Sequence, residues 1–443
     1  MNILNILKDT ISAVTDFVCG YPLFILLIGG GLCLFVYSRA IPLRCLGKAL
    51  KSLTVKYSGE GQISSLQALL TTISSTVGMG NIAGVAIAIA MGGPGTIFWM
   101  WVSAIVGMST KFFEGTLAIM YKGKDNLGEI QGGPMYIMTE GLGPHWKPLA
   151  VFFSSFALIG CLCTMQANQL TESVIAVFSL QESYGLKLMI GLLIGAIVSV
   201  VILGGIRRIS QIASRMAPLM VALYFLLVLV IIVMNISRLP HVFGLIVSEA
   251  FNLKAGFGAF VGIAIIGARR AMYVNEAGVG TASLMHGASR NSEPTREGLV
   301  AMLGPAIDSG FVCTLTAIPI IMADVYHVEG VKGLTIAMNS YETMLPGVGQ
   351  YLLLVIVTIF AFSTMFSYSY YGTKCFGYLF GMQHARYYNY FYLFMLVMAC
   401  IISLDTAISI MDLAFALMAF STMFTIFRLA PRVKAEMKRT GID

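Results

Sequence analysis

Long apolar stretches, each bounded by charges, glycine or proline, recur from Tyr21 to the end of the chain. A bilayer core of about 30 Å takes about 20 helical residues to cross. Windows near that length lie at 21–38, 64–91, 94–120, 150–178, 187–206, 215–236, 256–285, 298–323, 347–381, 385–404 and 410–428. No alternating ten-residue pattern accompanies them, so the spans are helices rather than strands of a barrel. Two windows are poorly made. Residues 76–84 read TVGMGNIAG, and residues 268–280 read ARRAMYVNEAGVG after Gly262 and Gly267. The pattern therefore predicts an all-α polytopic membrane protein of about eleven spans, two of them interrupted.

Composition agrees. Of 443 residues 57% are hydrophobic and 11% charged, and the mean hydropathy is +0.83; charged residues make up about 25% of an average soluble domain. The first twenty residues contain Lys8, Asp9 and Asp16 and no cleavable apolar region, so the first span is expected to stay in the mature protein. Eight scattered cysteines lack paired metal-site spacing and read as small packing residues. The five histidines fall in loops or near span ends, and no nucleophile and base are placed as a membrane hydrolase would need them.

Basic residues mark the cytoplasmic connections. One set of alternate connections, with the tail, holds 19 Lys and Arg, and the other set holds 5: Lys8, Lys187, Arg238, Lys254 and Lys332. The asymmetry puts the N-terminus outside and the C-terminus inside, which requires an odd number of spans. The net charge of +7 then reports topology and contact with anionic membrane lipid, with no call for nucleic acid. Eleven spans also divide as one plus ten. Residues 1–63 form an accessory helix and basic loop, 64–236 and 256–428 are two halves of five spans, and 429–443 is a basic tail. An odd number of spans per half inverts the second half, as in many secondary transporters.

The two interruptions then fall in corresponding spans, the sequence pattern that points to a midplane binding site. A helix broken inside the membrane exposes N–H groups that attract a carboxylate and carbonyls that attract a cation. Close packing of Gly80 and Gly84 as G-x-x-x-G is the plainer alternative. Thr71, Thr72, Ser74, Ser75 and Thr76 precede the first interruption, and Asn81 lies in it. Glu276 is either a functional carboxylate or the partner of Arg269 and Arg270. Lys111 and Glu114 read as a structural pair near the interface, and Asp308 as an isolated acid suited to a proton or cation. TMQANQL places Thr164, Gln166, Asn168 and Gln169 in the fourth span; AFSTMFSYSYYG places Ser363, Thr364, Ser367 and Ser369 in the ninth. Such hydroxyls either suit Na⁺ or bond their own helix.

VGMGNIAGVAIAIAMGGPGTIFWMW, GMSTKFFEG, QGGPMYIM, VNEAGVGTAS with His286 soon after, and AFSTMFSYSYYG resemble, in order, the signatures of the alanine or glycine:cation symporter family. The resemblance runs from about Ser65 to Gly381. It implies a leucine-transporter-type fold of five-plus-five inverted repeats after one extra N-terminal helix, and Na⁺-coupled uptake of alanine or glycine, including D-alanine in some members. It implies that carbonyls around Ser74 and Val77, with the hydroxyls of Ser363 and Thr364, hold sodium. Gly78, Gly80 and Asn81 would meet the charged ends of the amino acid, Gln166 would be a polar contact, and Tyr273 and Val274 the opposite wall. RAMYVNEAG departs from the family's usual R-G-L-F-S-N-E-A-G run, and TAS followed by Leu284 from its S-A-P run.

The expectation is a bacterial inner-membrane symporter working by alternating access, with Na⁺ as the co-transported ion. Proton coupling through Asp308 or Glu276 is the alternative. An ion channel or a non-transporting sensor is a further one; a channel would show currents beyond carrier turnover.

Overall fold

The computed structural model describes residues 13–54, 61–251, 257–327 and 333–442; the side chains of Phe257, Tyr273, Leu404, Asp405 and Thr406 are also outside the description. Lys8, Lys56, Lys254 and Lys332 of the basic-residue count thus lie outside the described residues, as do Asp9 and the Tyr273 side chain. The described chain is nearly all helix, with one two-stranded hairpin, Gly123–Lys124 paired antiparallel with Ile130–Gln131.

The helices that matter are α1 (Ala13–Tyr37), α2 (Ser65–Thr76) and α3 (Gly80–Gly92), α4 (Gly95–Met120), α5 (Lys147–Gly160), α6 (Thr164–Val177), α7 (Tyr184–Ile202) and α8 (Gly205–Met234). After the short α9 (Leu239–Ala250) come α10 (Phe257–Asn275), α11 (Thr281–His286), the span α12 (Pro294–Ala323), α13 (Leu334–Met344), α14 (Gly349–Phe380), α15 (Arg386–Ala399) and α16 (Leu404–Arg439). By length and hydropathy eight described helices can cross a membrane, nine if the bent pair α2 and α3 counts as one span. The remaining two expected spans fall on the broken α10–α11 and on α15, which has only 14 residues.

Local chemistry sets the boundaries. Ser64 and Gln67 form a reciprocal capping box that starts α2, Pro94 precedes α4, and Pro294 opens α12 at the position where a missing N–H costs nothing. Burial then sorts the helices. The apolar windows of α4 and α14 are 72% buried, against 28% for α1 and 33% for α8. In lipid an exposed Leu is not penalised, so peripheral helices keep apolar outer faces and small or polar residues are drawn to contacts. The inner helices α4 and α14 flank the two interrupted spans, with α2 packed on α8 and α14, and α10 and α12 packed on α4. The accessory helix α1 runs beside α16, where the Thr15 hydroxyl donates to the Ser409 carbonyl and the Lys434 ammonium to the Tyr37 carbonyl.

Candidate functional site

Helix α2 stops at Val77, whose ψ of 95° is extended, and the chain resumes as α3 bent by 54°. In an unbroken helix the Gly78 N–H would donate to the Ser74 carbonyl four residues back. Here it donates to the Asn81 side-chain oxygen at 2.9 Å. The Ser74 carbonyl is left free and accepts the Ser363 hydroxyl of α14 at 3.0 Å. Gly78 also comes so close to α14 that an added Cβ would lie 2.4 Å from the Thr364 hydroxyl oxygen. Ser74, Gly78, Ser363 and Thr364 thus meet at one junction, with Val77 fully buried beside them. The Thr364 hydroxyl donates to the Phe360 carbonyl at 3.1 Å, the same carbonyl lies 2.9 Å from the Ser363 hydroxyl as an alternative acceptor for its single proton, and an oxygen that donates still has lone pairs to offer a cation. A Cβ on Gly84 would meet nothing within 4 Å, so Gly84 is not held to glycine by close packing.

The second interruption covers Glu276 to Gly280. Glu276, Gly278 and Gly280 have φ of 50°, 87° and 99°, the left-handed region that glycine enters freely and glutamate does not. Neighbours hold it in place. The Ala277 N–H donates to the Asn275 side-chain oxygen at 2.9 Å, the Gly278 N–H to Glu114 Oε1 at 2.5 Å, and the Thr422 hydroxyl to the Val279 carbonyl at 3.1 Å. The Glu276 carboxylate accepts from the hydroxyls of Tyr368 and Thr281.

Several expectations are corrected. Glu276 does not pair with Arg269: the chain turns at Glu276, so helical spacing no longer relates them, and Arg269 pairs with Asp412 at 2.6 Å and Asp16 at 3.2 Å. Lys111 and Glu114 are both about 1% exposed, and Glu114 has a structural role beyond its pairing with Lys111, because it braces the second break. Lys111 makes no hydrogen bond among the described residues. Asp308 is not isolated: it accepts the Thr76 hydroxyl at 2.6 Å, while its other oxygen is buried without a partner among the described residues. His286 ends α11, near a span end as expected, and is fully buried 2.6 Å from Glu297.

The polar clusters divide likewise. Asn168 donates to the Ile402 carbonyl at 2.6 Å and Gln169 accepts the Leu334 N–H at 2.9 Å, so both join helices. Ser367 and Ser369 bond their own helix, whereas Ser363 reaches across to α2. Gln166 is buried with an unpartnered oxygen, and Val274 is fully buried. No hydrogen bond among the described residues joins either to the first break. Gly80, also buried, opens the widened first turn of α3, and the Asn81 amide spans from Gly78 to the Asp308 carbonyl, 3.4 Å from its nitrogen. A cavity of about 550 Å³ lined by Lys124, Tyr136, Glu140 and Tyr378 lies apart, containing none of the expected site residues.

A helical membrane bundle with two interrupted spans packed against one long helix defines a secondary transporter of the leucine-transporter-type fold. The solved structure of MhsT in complex with L-phenylalanine has this fold, with a TM-score of 0.56 at 15% identity over 81% of this chain and 89% of its own. The chain belongs to the sodium:alanine symporter family, which it matches over residues 4–440. The sodium/alanine symporter AgcS of Methanococcus maripaludis is 37% identical over 97% of this chain and 96% of its own. The probable sodium/glutamine symporter GlnT of Bacillus subtilis is 31% identical over 98% and 91%. The putative sodium/proton-dependent alanine carrier protein YrbD of the same species is 35% identical over 84% and 79%. The protein is a cation-coupled amino-acid transporter, not an enzyme.

Proposed function

We propose that the chain carries small neutral amino acids, alanine and glycine with D-alanine among them, into a bacterial cell together with Na⁺. In this reading residues 64–236 and 256–428 are inverted repeats, 1–63 and 429–443 are accessory segments, the N-terminus is outside and the C-terminus cytoplasmic. Na⁺ takes the carbonyls of Ser74 and Val77 and the hydroxyls of Ser363 and Thr364. The amino acid meets Gly78, Gly80 and Asn81, with Gln166, Tyr273 and Val274 around its side chain. The observation that carries the reading is the Ser363 hydroxyl on the freed Ser74 carbonyl, beside Gly78 in contact with Thr364. Neutral oxygens converge there without water to compete, which suits a hard monovalent cation. Ion and substrate share one unwound backbone, so each raises the affinity of the other by the same factor.

Purified protein in liposomes decides the ion: radiolabelled alanine and glycine uptake is measured under an inward Na⁺ gradient and, separately, a pH gradient. Uptake that follows Na⁺ is expected. Uptake that follows protons and ignores Na⁺ overturns the sodium assignment and favours the second reading, proton coupling through Asp308. The unpartnered buried oxygen of Asp308 and the name of the YrbD relative favour that alternative. Competing D- and L-amino acids in the same assay rank the substrates.

A further inference from the structure

The two breaks are stitched together by two consecutive residues of a third span. In α12 the turn over Ala306–Val312 is widened beyond an ordinary α-helix, a deformation often found at functional positions. Successive helical side chains point about 100° apart, so adjacent residues serve different neighbours. Asp308 faces the first break: its carboxylate accepts the Thr76 hydroxyl at 2.6 Å, and its carbonyl lies 3.4 Å from the Asn81 amide nitrogen. Ser309 faces the second: its hydroxyl accepts from the Asn275 amide at 3.0 Å. Asn81 and Asn275 are the residues whose side-chain oxygens cap the unwound backbone, at Gly78 and Ala277 respectively. Each cap thus uses its oxygen for its own break and its nitrogen for α12. Asp308 and Ser309 are both about 1% exposed or less, so no water substitutes for these bonds.

We infer that Ser309 is a positioning residue: through Asn275 it passes a shift at the first break to the second, so that ion binding at α2 and α3 sets the backbone of residues 276–280. It touches neither ion nor amino acid. The inference deepens the sodium and amino-acid reading and rests on it for its functional consequence.

Two measurements on the full chain test it. Amide hydrogen exchange needs no ligand: Thr76→Val loosens the first break, and exchange at residues 277–280 rises in the otherwise unaltered protein but not when Ser309→Ala is also present. Equal rises in both backgrounds, or none in either, overturn the inference. Alanine binding to purified protein is then measured without Na⁺ and at saturating Na⁺. The factor by which Na⁺ tightens alanine, expected within about 5- to 150-fold, falls towards one in Ser309→Ala while the Na⁺-free affinity stays, and Ser309→Thr, which keeps the hydroxyl, restores it. An unchanged factor in Ser309→Ala overturns the inference alone; an unaltered protein with no Na⁺ effect overturns the sodium reading, and the exchange result still decides the stitch.

Discussion

The two interruptions solve one problem in opposite ways. At the first, the freed groups are met by neutral partners: an amide oxygen for the Gly78 N–H and a hydroxyl for the Ser74 carbonyl. At the second, the freed Gly278 N–H meets a carboxylate, and a second carboxylate, Glu276, is held by two hydroxyls. A charge-assisted bond is roughly twice as strong as a neutral one. In the proposed reading the difference separates duties: the first break keeps exchangeable oxygens for a ligand, and the second is anchored by buried carboxyl groups that hold its backbone.

The sharpest way to break the comparison is at the point of closest approach. Gly78→Val forces side-chain atoms into Thr364, and because it makes the span more apolar it should insert normally. Uptake is expected to fall by about 100-fold or more, the effect of an ångström of misplacement, while size-exclusion behaviour is retained. Asn81→Leu removes the cap and the bridge to Asp308 together and is expected to abolish measurable transport without loss of insertion. Normal transport by Asn81→Leu would remove the first break from the mechanism.

Glu114→Leu probes the other side. It leaves the buried Gly278 N–H unpaired, so thermal unfolding is expected to report a loss of about 1.5–3 kcal/mol. Unchanged unfolding would remove Glu114 as the brace of the second break. Ser367→Ala is the smallest change, because that hydroxyl only bonds its own helix one turn from Ser363. Uptake within about threefold of the unaltered protein is expected, as removal of one such bond shifts energies by about 0.6 kcal/mol.

How much of this was legible depended on distance along the chain. The first break showed in Gly78, Gly80 and Asn81 because glycine and asparagine act on their own backbone. The junction with Ser363 spans 289 residues, and only the resemblance to a family suggested it. Glu114 was read as structural from its spacing to Lys111, but its hydrogen-bond partner could not be seen, because Gly278 lies 164 residues on. Ser309 carried no signal, since a lone serine in a membrane helix ordinarily bonds its own backbone. The helical membrane architecture followed from apolar length, while the short α15 fell under the length a single span needs because a helix held by neighbours can be shorter than the bilayer.

Alanine binding to purified protein, titrated with Na⁺ in the unaltered chain and in Ser363→Ala, tests the shared-backbone account most directly. The Na⁺ concentration for half-maximal alanine binding should rise by about tenfold in the variant, the equivalent of 1.4 kcal/mol, with alanine affinity at saturating Na⁺ preserved. Superimposable Na⁺ curves for the two proteins would contradict the account.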